Sequence, residues 1–355
     1  MKKVFNLMTD SDLYQKEEEF FNKTFAMSYS GLNKLLFSPR VFYNHYVLGQ
    51  REDVFDKGMV EGKLIHCLFL KPEDFDKEFL LMPTDIPSDS NKAVLHALYL
   101  NFKELNEAGD PRSSLLDFSI LILDILKSLN LYQSLVDDKK GGLTGDQKRL
   151  EKIINEKNES YWEYLKKSVG KSIIDHDVYE FAKEVVEKLQ NSEVVMHTMG
   201  YKKENFTDDI EKINEKELIS FNDDYLFGLR GFIDNLVFDH TNKVIRINDL
   251  KKSSKDLLSF VDSIEYYRYW MQASIYCMLV RSNFISSPQF KDYSIEFRFI
   301  VIDPFMQIAP IKISDATLDS WTLKTVNYLK QANYHFENKD FNLPYDFLIN
   351  KELVI

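Results

Sequence analysis

Apolar positions up to Met199 recur at three- and four-residue intervals, and beyond Met199 they shift to alternation, so a helical amino half precedes a mixed α/β half. Ser28 or Ser30 can cap a short helix through Phe37, and Ser38-Pro39 restarts a second one through Phe42, Tyr43 and Tyr46. Residues 56–70 form a further helical pattern with Met59, Lys63, His66 and Leu70 on one side, and Pro72 ends it. The spacing predicts long helices over 113–136 and 145–168, separated by Lys139-Lys140-Gly141-Gly142, and another over 175–192. Extended runs follow at 217–221, 225–238 and 243–250, then a helix over 257–280, strands at 294–302 and 307–313, and a closing helix over 316–338. No internal repeat is visible.

Composition narrows the classes. With 355 residues, 44% hydrophobic and 14% aromatic, the chain can bury a substantial core, and 12 Gly and 9 Pro are too few for collagen-like or low-complexity sequence. Cys67 and Cys277 form no CxxC pair, which excludes a four-cysteine zinc or iron–sulfur site built from this chain and makes disulfide stapling an unattractive reading. The amino end meets Asp10 and Asp12 before any apolar run of signal-peptide length, and the most apolar stretch, 115–126, is broken by Asp117, Ser119 and Asp124. A cytoplasmic protein without a membrane span is the expectation. The net charge of -11 argues against a nucleic-acid partner, but its distribution does not: residues 230–298 hold ten Lys/Arg against eight Asp/Glu, leaving -13 for the rest.

The triplet of an acid, any residue and lysine occurs six times, starting at Glu61, Asp137, Asp138, Asp146, Asp249 and Glu337. Only Asp249-Leu250-Lys251 ends an apolar strand, after Val244, Ile245 and Ile247, and a period of two puts Asp249 and Lys251 on one face. Asp234 lies between Phe232-Ile233 and Leu236-Val237, where a carboxylate has no packing reason to be. The midpoint of positions 234 and 249 falls inside His240-Thr241-Asn242-Lys243, a turn candidate. A hairpin closing there sets Asp234 and Asp249 nearly opposite, with Cβ atoms about 4.5–5.5 Å apart. Two like charges so placed in a half-buried sheet leave two outcomes: one carboxylate takes a proton, or a cation sits between them. A divalent metal is the simplest compensation, and magnesium can present water to a phosphodiester. Lys251 could orient that water or stabilise the developing charge. The competing readings are an exposed strand-end ion pair at Asp249 and Lys251 and a surface acid at Asp234.

These residues resemble the PD-(D/E)XK nuclease superfamily, and within it the phage-type exodeoxyribonuclease VIII and RecB-type nuclease branch. The resemblance is carried by Arg230-Gly231-Phe232-Ile233-Asp234, by Asp249-Leu250-Lys251-Lys252-Ser253-Ser254, and by the helix Tyr269-Trp270-Met271-Gln272-Ala273-Ser274-Ile275-Tyr276. Upstream it includes Gly62-Lys63-Leu64-Ile65-His66-Cys67-Leu68 with Pro72-Glu73-Asp74-Phe75, and Ser30-Gly31-Leu32 with Ser38-Pro39. The blocks are scattered over about 28–280, and 85–192 carries none.

The resemblance implies a restriction-endonuclease-like mixed central sheet flanked by helices. Its core would occupy 200–355, and the helical region 1–199 would contribute His66, the two together forming one compact unit. It implies metal ligation by His66, Asp234 and Asp249, catalysis by Lys251 with these acids and with Glu217 as an additional acid, and Gln272 and Tyr276 as positioners of the site or of the DNA backbone. Arg230, Lys252 and Lys255 are further candidates for DNA contact. The implied activity is Mg2+-dependent exonucleolytic hydrolysis of linear duplex DNA, with Mn2+ able to substitute, in phage or prophage recombination inside a host cytoplasm. A homo-oligomer and a single-strand annealing protein as partner go with it. A structure-specific endonuclease and a non-catalytic DNA-binding adaptor of the same fold are the alternatives.

Overall fold

The computed structural model describes residues 10–50, 57–107, 109, 111–139, 141–201 and 209–352. The chain opens with α1 (Asp10–Phe21), the two-residue β1 (Ala26–Met27), α2 (Tyr29–Phe37) and α3 (Pro39–Phe42). Ser28 caps α2 by accepting from the Gly31 amide, and Ser38 caps α3 by accepting from Val41, with Pro39 in the first turn. The next helix, α4 (Lys57–Leu70), carries His66. Beyond it come α5 (Phe75–Glu78), β2 (Phe79–Leu81), α6 (Asp89–Glu107), α7 (Ser119–Ser128), α8 (Gly145–Ile153), α9 (Glu156–Lys167), β3 (Ser172–Ile174), α10 (His176–Asn191) and α11 (Glu193–Thr198). The remainder runs β4 (Ile210–Ser220), β5 (Gly228–Asp239), β6 (Val244–Lys252), α12 (Phe260–Tyr266), α13 (Tyr269–Val280), β7 (Ser294–Ile302), β8 (Ile308–Ile313), α14 (Asp315–Asn338) and α15 (Tyr345–Asn350).

The fold is mixed α/β with helices flanking a central sheet. Several elements differ from the periodicity reading, each for a local reason. The helix expected over 113–136 stops at Ser128 because Asn130 and Tyr132 adopt left-handed backbone, with φ of 53° and 55°. The one expected over 145–168 divides where Asn155 turns its side chain to the Asn158 amide and becomes the cap of α9. Arg268, at φ 57°, separates α12 from α13 within the expected 257–280 helix. The periodicity marks neither α1 nor α6, and β4 begins at Ile210 rather than 217.

Packing divides the chain into two units, Met1–Pro72 with Ala182–Ile355, and Glu73–Phe181. The expected boundary at 199/200 follows the change of period instead, and α4, α10 and α11 lie on its helical side. In the second unit, α6, α7 and α9 bury Val94, Leu98, Phe118, Leu126 and Leu165 around Trp162, whose indole N–H donates to the Ser113 carbonyl at 2.7 Å. The short strands β2 and β3 pair in parallel there.

In the first unit the long strands lie in the order β4, β5, β6, β7, β8; β6 and β7 are parallel and the other neighbours antiparallel. The β5–β6 register runs from Asp239↔Val244 to Asn235↔Asn248 around a turn at 240–243, which is the hairpin the midpoint of 234 and 249 predicts. Along that same edge β1 pairs in parallel with Gly228 and Leu229, at the start of β5. Residues 230–234 thus lie between two strand partners without a ladder partner on that edge, and a cleft opens there.

One sheet face is covered by α13, which buries ten of its twelve residues and is apolar all round, as expected of a helix enclosed in a core. Met271, Ile275 and Leu279 pack with Ile233, Ile247, Phe297 and Phe299, and α14 closes the outer side with Leu329 and Phe336. On the other face α4 lies on β5 and β6. No helix among the described residues is long and apolar enough to cross a membrane.

The approach of α13 to β5 depends on Gly231, because a Cβ there would stand 2.7 Å from Cε1 of Tyr276 and 3.0 Å from Cδ1 of Leu279. We expect Gly231→Ala to destabilise the protein by about 1–3 kcal/mol through overpacking, read as a lowered midpoint in urea unfolding.

Candidate active site

The ladder between β5 and β6 ends at Asn235↔Asn248, so positions 234 and 249, next in register, are released from it. The Leu250 amide donates to Asp234 Oδ2 at 2.7 Å, so a side chain takes the place of a strand carbonyl. Asp249, fully buried, faces α13 instead. Its Oδ1 accepts from Gln272 Nε2 at 3.0 Å, and its Oδ2 stands 2.5 Å from the Lys251 ammonium. Lys251 also lies over the Tyr269 ring, 4.9 Å from its centroid. Gln272 donates a second bond to the Tyr276 hydroxyl at 2.9 Å, which ties both residues of the expected glutamine–tyrosine pair to the carboxylate.

From the other side of the sheet, α4 brings His66. Its Nδ1 is 3.5 Å from Asp234 Oδ2 and 3.8 Å from Glu215 Oε1, and its Nε2 meets the Leu250 carbonyl at 2.9 Å. Glu215 stands in register with Asp234, between the pairs Asn214↔Asn235 and Lys216↔Ile233. It does so with φ of 49°, a left-handed backbone that costs a non-glycine residue energy. The kink switches the faces of β4: Ile213 and Leu218, of opposite parity, both pack against the same core. Glu217 is thereby displaced from the site. It pairs with Arg230 at 2.9 Å, both side chains about two-fifths exposed.

The site therefore brings together His66, Asp234, Asp249 and Lys251, with Gln272 and Tyr276 behind Asp249, and it adds Glu215 where the sequence pointed to Glu217. A signal for Glu215 was available. The midpoint of 215 and 234 falls within Asn222-Asp223-Asp224-Tyr225, a turn-rich run, and the same arithmetic that pairs 234 with 249 selects it. Among the DNA-contact candidates, Gln272 and Tyr276 are buried, Lys252 is ion-paired with Glu61, and Lys255 reaches Asp262 at 3.0 Å on the surface. Arg230 lines the cleft beside Gly231, Phe232, Ser28, Ser30 and Tyr276, a space of about 480 Å³.

Burial sets the electrostatics of the acids. It pushes Asp249 up to about 6, against the pull of Lys251 and with the help of the Asp234 charge. Asp234 is likewise raised by burial, opposed by His66 and Lys251. Burial works against the charged forms of His66 and Lys251, but the neighbouring acids prevail. Asp234 and Glu215 lift His66 to about 9, and Asp249 and Asp234 hold Lys251 above its ordinary value. The two acids thus favour the protonated imidazole at neutral pH, with Nδ1 toward Asp234 and Glu215 and Nε2 toward the Leu250 carbonyl.

His66, Glu215 and Asp234 each offer a ligand atom within 4.8 Å of the other two. One imidazole nitrogen and two carboxylate oxygens form a donor set suited to a hard divalent cation. Asp249 lies beside that set, its oxygens engaged by Lys251 and Gln272.

The family model of the PD-(D/E)XK nuclease superfamily matches residues 26–304. No curated protein matches the chain. Among solved structures, a protein from Eubacterium rectale provisionally described as an exonuclease aligns at 13% identity over 98% of this chain and 94% of that one, with a TM-score of 0.45. The protein SSO0001 aligns at 16% identity over 42% of this chain and 67% of its own, with a TM-score of 0.21.

Two outcomes follow for the isolated protein. Glu215→Ala should weaken Mn2+ binding by about 10-fold or more, whereas Glu217→Ala should leave it within about twofold, both read by titration calorimetry. Because His66 is protonated below about pH 9, cation binding at pH 7.5 must displace its proton, and affinity should rise as pH approaches 9. Titrations in buffers of different ionisation enthalpy should report roughly one proton released; no release would contradict ligation by His66.

Proposed function

The chain belongs to the PD-(D/E)XK nuclease superfamily, and from that premise we propose that it is a divalent-metal-dependent exodeoxyribonuclease acting on linear duplex ends. The observation that carries this reading is the meeting of His66, Glu215 and Asp234 beside the buried Asp249–Lys251 pair, at the edge where β5 lacks a strand partner.

His66, Glu215 and Asp234 would hold the cation, Mg2+ or Mn2+, which supplies Lewis-acid polarisation at the scissile phosphate. The Leu250 amide fixes one Asp234 oxygen and so orients the carboxylate. Lys251, kept charged by Asp249 and Asp234, places its ammonium where negative charge grows on the phosphorus oxygens. Gln272 fixes Asp249, Asp249 fixes Lys251, and the Tyr269 ring limits the swing of the ammonium. Arg230 lies at the cleft with its side chain about two-fifths exposed, able to meet a backbone phosphate on exchange with Glu217. The chain's excess of acid lies outside 230–298, the segment that supplies Asp234, Asp249 and Lys251, so that segment does not itself add to the repulsion of DNA.

The likeness of the blocks over 28–280 to phage exonucleases supports the narrower terms of the reading. These are end resection in phage or prophage recombination within a host cytoplasm, a single-strand annealing protein as partner, and a homo-oligomer.

The test incubates purified protein with end-labelled linear DNA and with covalently closed DNA, each with Mg2+ or EDTA. Loss that requires ends and Mg2+ is expected. Cutting of closed or branched DNA would convert the assignment to an endonuclease, and binding without cutting to an adaptor. Lys251→Met should lower turnover by about 10²- to 10³-fold while leaving Mn2+ affinity near that of the wild type.

A further inference from the structure

Each acid of the site has an asparagine beside it in the chain: Asn214-Glu215, Asp234-Asn235 and Asn248-Asp249. The register sets these asparagines in one row across three strands, as Asn214↔Asn235 and Asn235↔Asn248. Their amides are hydrogen-bonded head to tail. Asn248 Nδ2 donates to Asn235 Oδ1 at 2.7 Å, and Asn235 Nδ2 donates to Asn214 Oδ1 at 2.8 Å. Asn214 Nδ2 completes the row by donating to the Leu70 carbonyl at 3.0 Å.

Leu70 is the last residue of α4, the helix that carries His66, and its carbonyl is one of those a helix end leaves without an internal partner. Side bonds run from Asn248 to the Thr198 carbonyl, from Asn235 to that of Met199 and from Asn214 to the Tyr201 hydroxyl, each at 3.2 Å. All the donors point the same way along the row, so the amide dipoles reinforce one another.

Asn235 and Asn248 are fully buried, where apolar residues would serve packing better and an unsatisfied amide is costly. The row crosses the sheet at the last rung before β5 and β6 part, the level at which Glu215, Asp234 and Asp249 leave the regular ladder. It also fastens α4 to β4. The strand ladders cannot perform that second task, since α4 is not part of the sheet; apart from the row, the His66 ring and the Glu61–Lys252 ion pair join α4 to β6.

We propose that the amide row Asn248–Asn235–Asn214–Leu70 is the positioning element of the metal centre, setting three strands and α4 at the spacing in which His66, Glu215 and Asp234 share one cation. This rests on the metal-centre reading given above. The asparagines are positioning residues: none of them touches the cation or the substrate.

The test measures Mn2+ affinity by electron paramagnetic resonance, together with the melting temperature of the metal-free protein. Asn235→Leu breaks the row at its centre, and Asn214→Ala removes only its half-buried last link. Both should weaken Mn2+ binding by about 10- to 100-fold. Replacing all three asparagines by leucine removes the amide groups that Asn235→Leu leaves unpaired within the row, although the Leu70, Thr198 and Met199 carbonyls still lose their donors. It should recover part of the melting temperature relative to Asn235→Leu, yet leave the cation site weakened by about 10-fold or more. A merely structural role predicts that affinity returns together with stability.

Wild-type affinity, within about twofold, in Asn214→Ala or in the triple variant overturns the proposal while leaving the metal centre standing. Should Asn235→Leu fail to fold, Asn214→Ala decides. Wild-type protein that takes up no Mn2+ overturns the metal centre and the row's role together.

Discussion

The parting of β5 from β6 after Asn235↔Asn248 is the constraint from which the site follows. Had the ladder continued one rung, Asp234 and Asp249 would face each other across it as uncompensated like charges. Parted, each finds its own donors. Asp234 turns to the Leu250 amide and His66, and Asp249 to Gln272 and Lys251 beneath α13. With Glu215 included, three carboxylates face two cationic groups when His66 is protonated, an excess of one negative charge. Loss of that proton raises the excess to two, the charge of a divalent cation.

This arrangement is expensive. Charged groups lose hydration when buried, and an ion pair such as Asp249–Lys251 recovers that loss only with good geometry and added hydrogen bonds. The bond from Gln272 and the Tyr269 ring supply part of the compensation. Glu215 adds backbone strain of order 1–3 kcal/mol. Stability to hold these features comes from the apolar layer between the sheet and α13, where Ile233, Ile247, Met271, Ile275, Phe297 and Phe299 are completely buried. Rigid packing on one face and a row of amides on the other leave the carboxylates little freedom to relax apart.

Much of the strand half was legible because its signals are short-range. Alternation marked β5, β6 and β7 closely, and the turn-forming run at 240–243 fixed a register that the ladder confirms pair by pair. The breaks in the helical patterns were harder. Asn130, Tyr132 and Arg268 take left-handed backbone without a glycine to announce it, and Asn155 can either continue a helix or cap the next. Glu217 is singled out by resemblance alone, and the kink at Glu215, which changes the face that β4 presents, has no marker such as a glycine in the sequence.

The sequence alone determined the acid–lysine strand end, the hairpin that opposes 234 and 249, and the resemblance that singles out His66, because each lies within a contiguous block. Only the tertiary structure brings Glu215 within 4.8 Å of His66 and Asp234, engages Asp249 with Lys251 and Gln272, and joins Asn214, Asn235 and Asn248 in a row ending on α4. Those outcomes depend on where two strands part and on how a helix more than 140 positions away in the chain is fastened to them, distances over which residue periodicity carries no information.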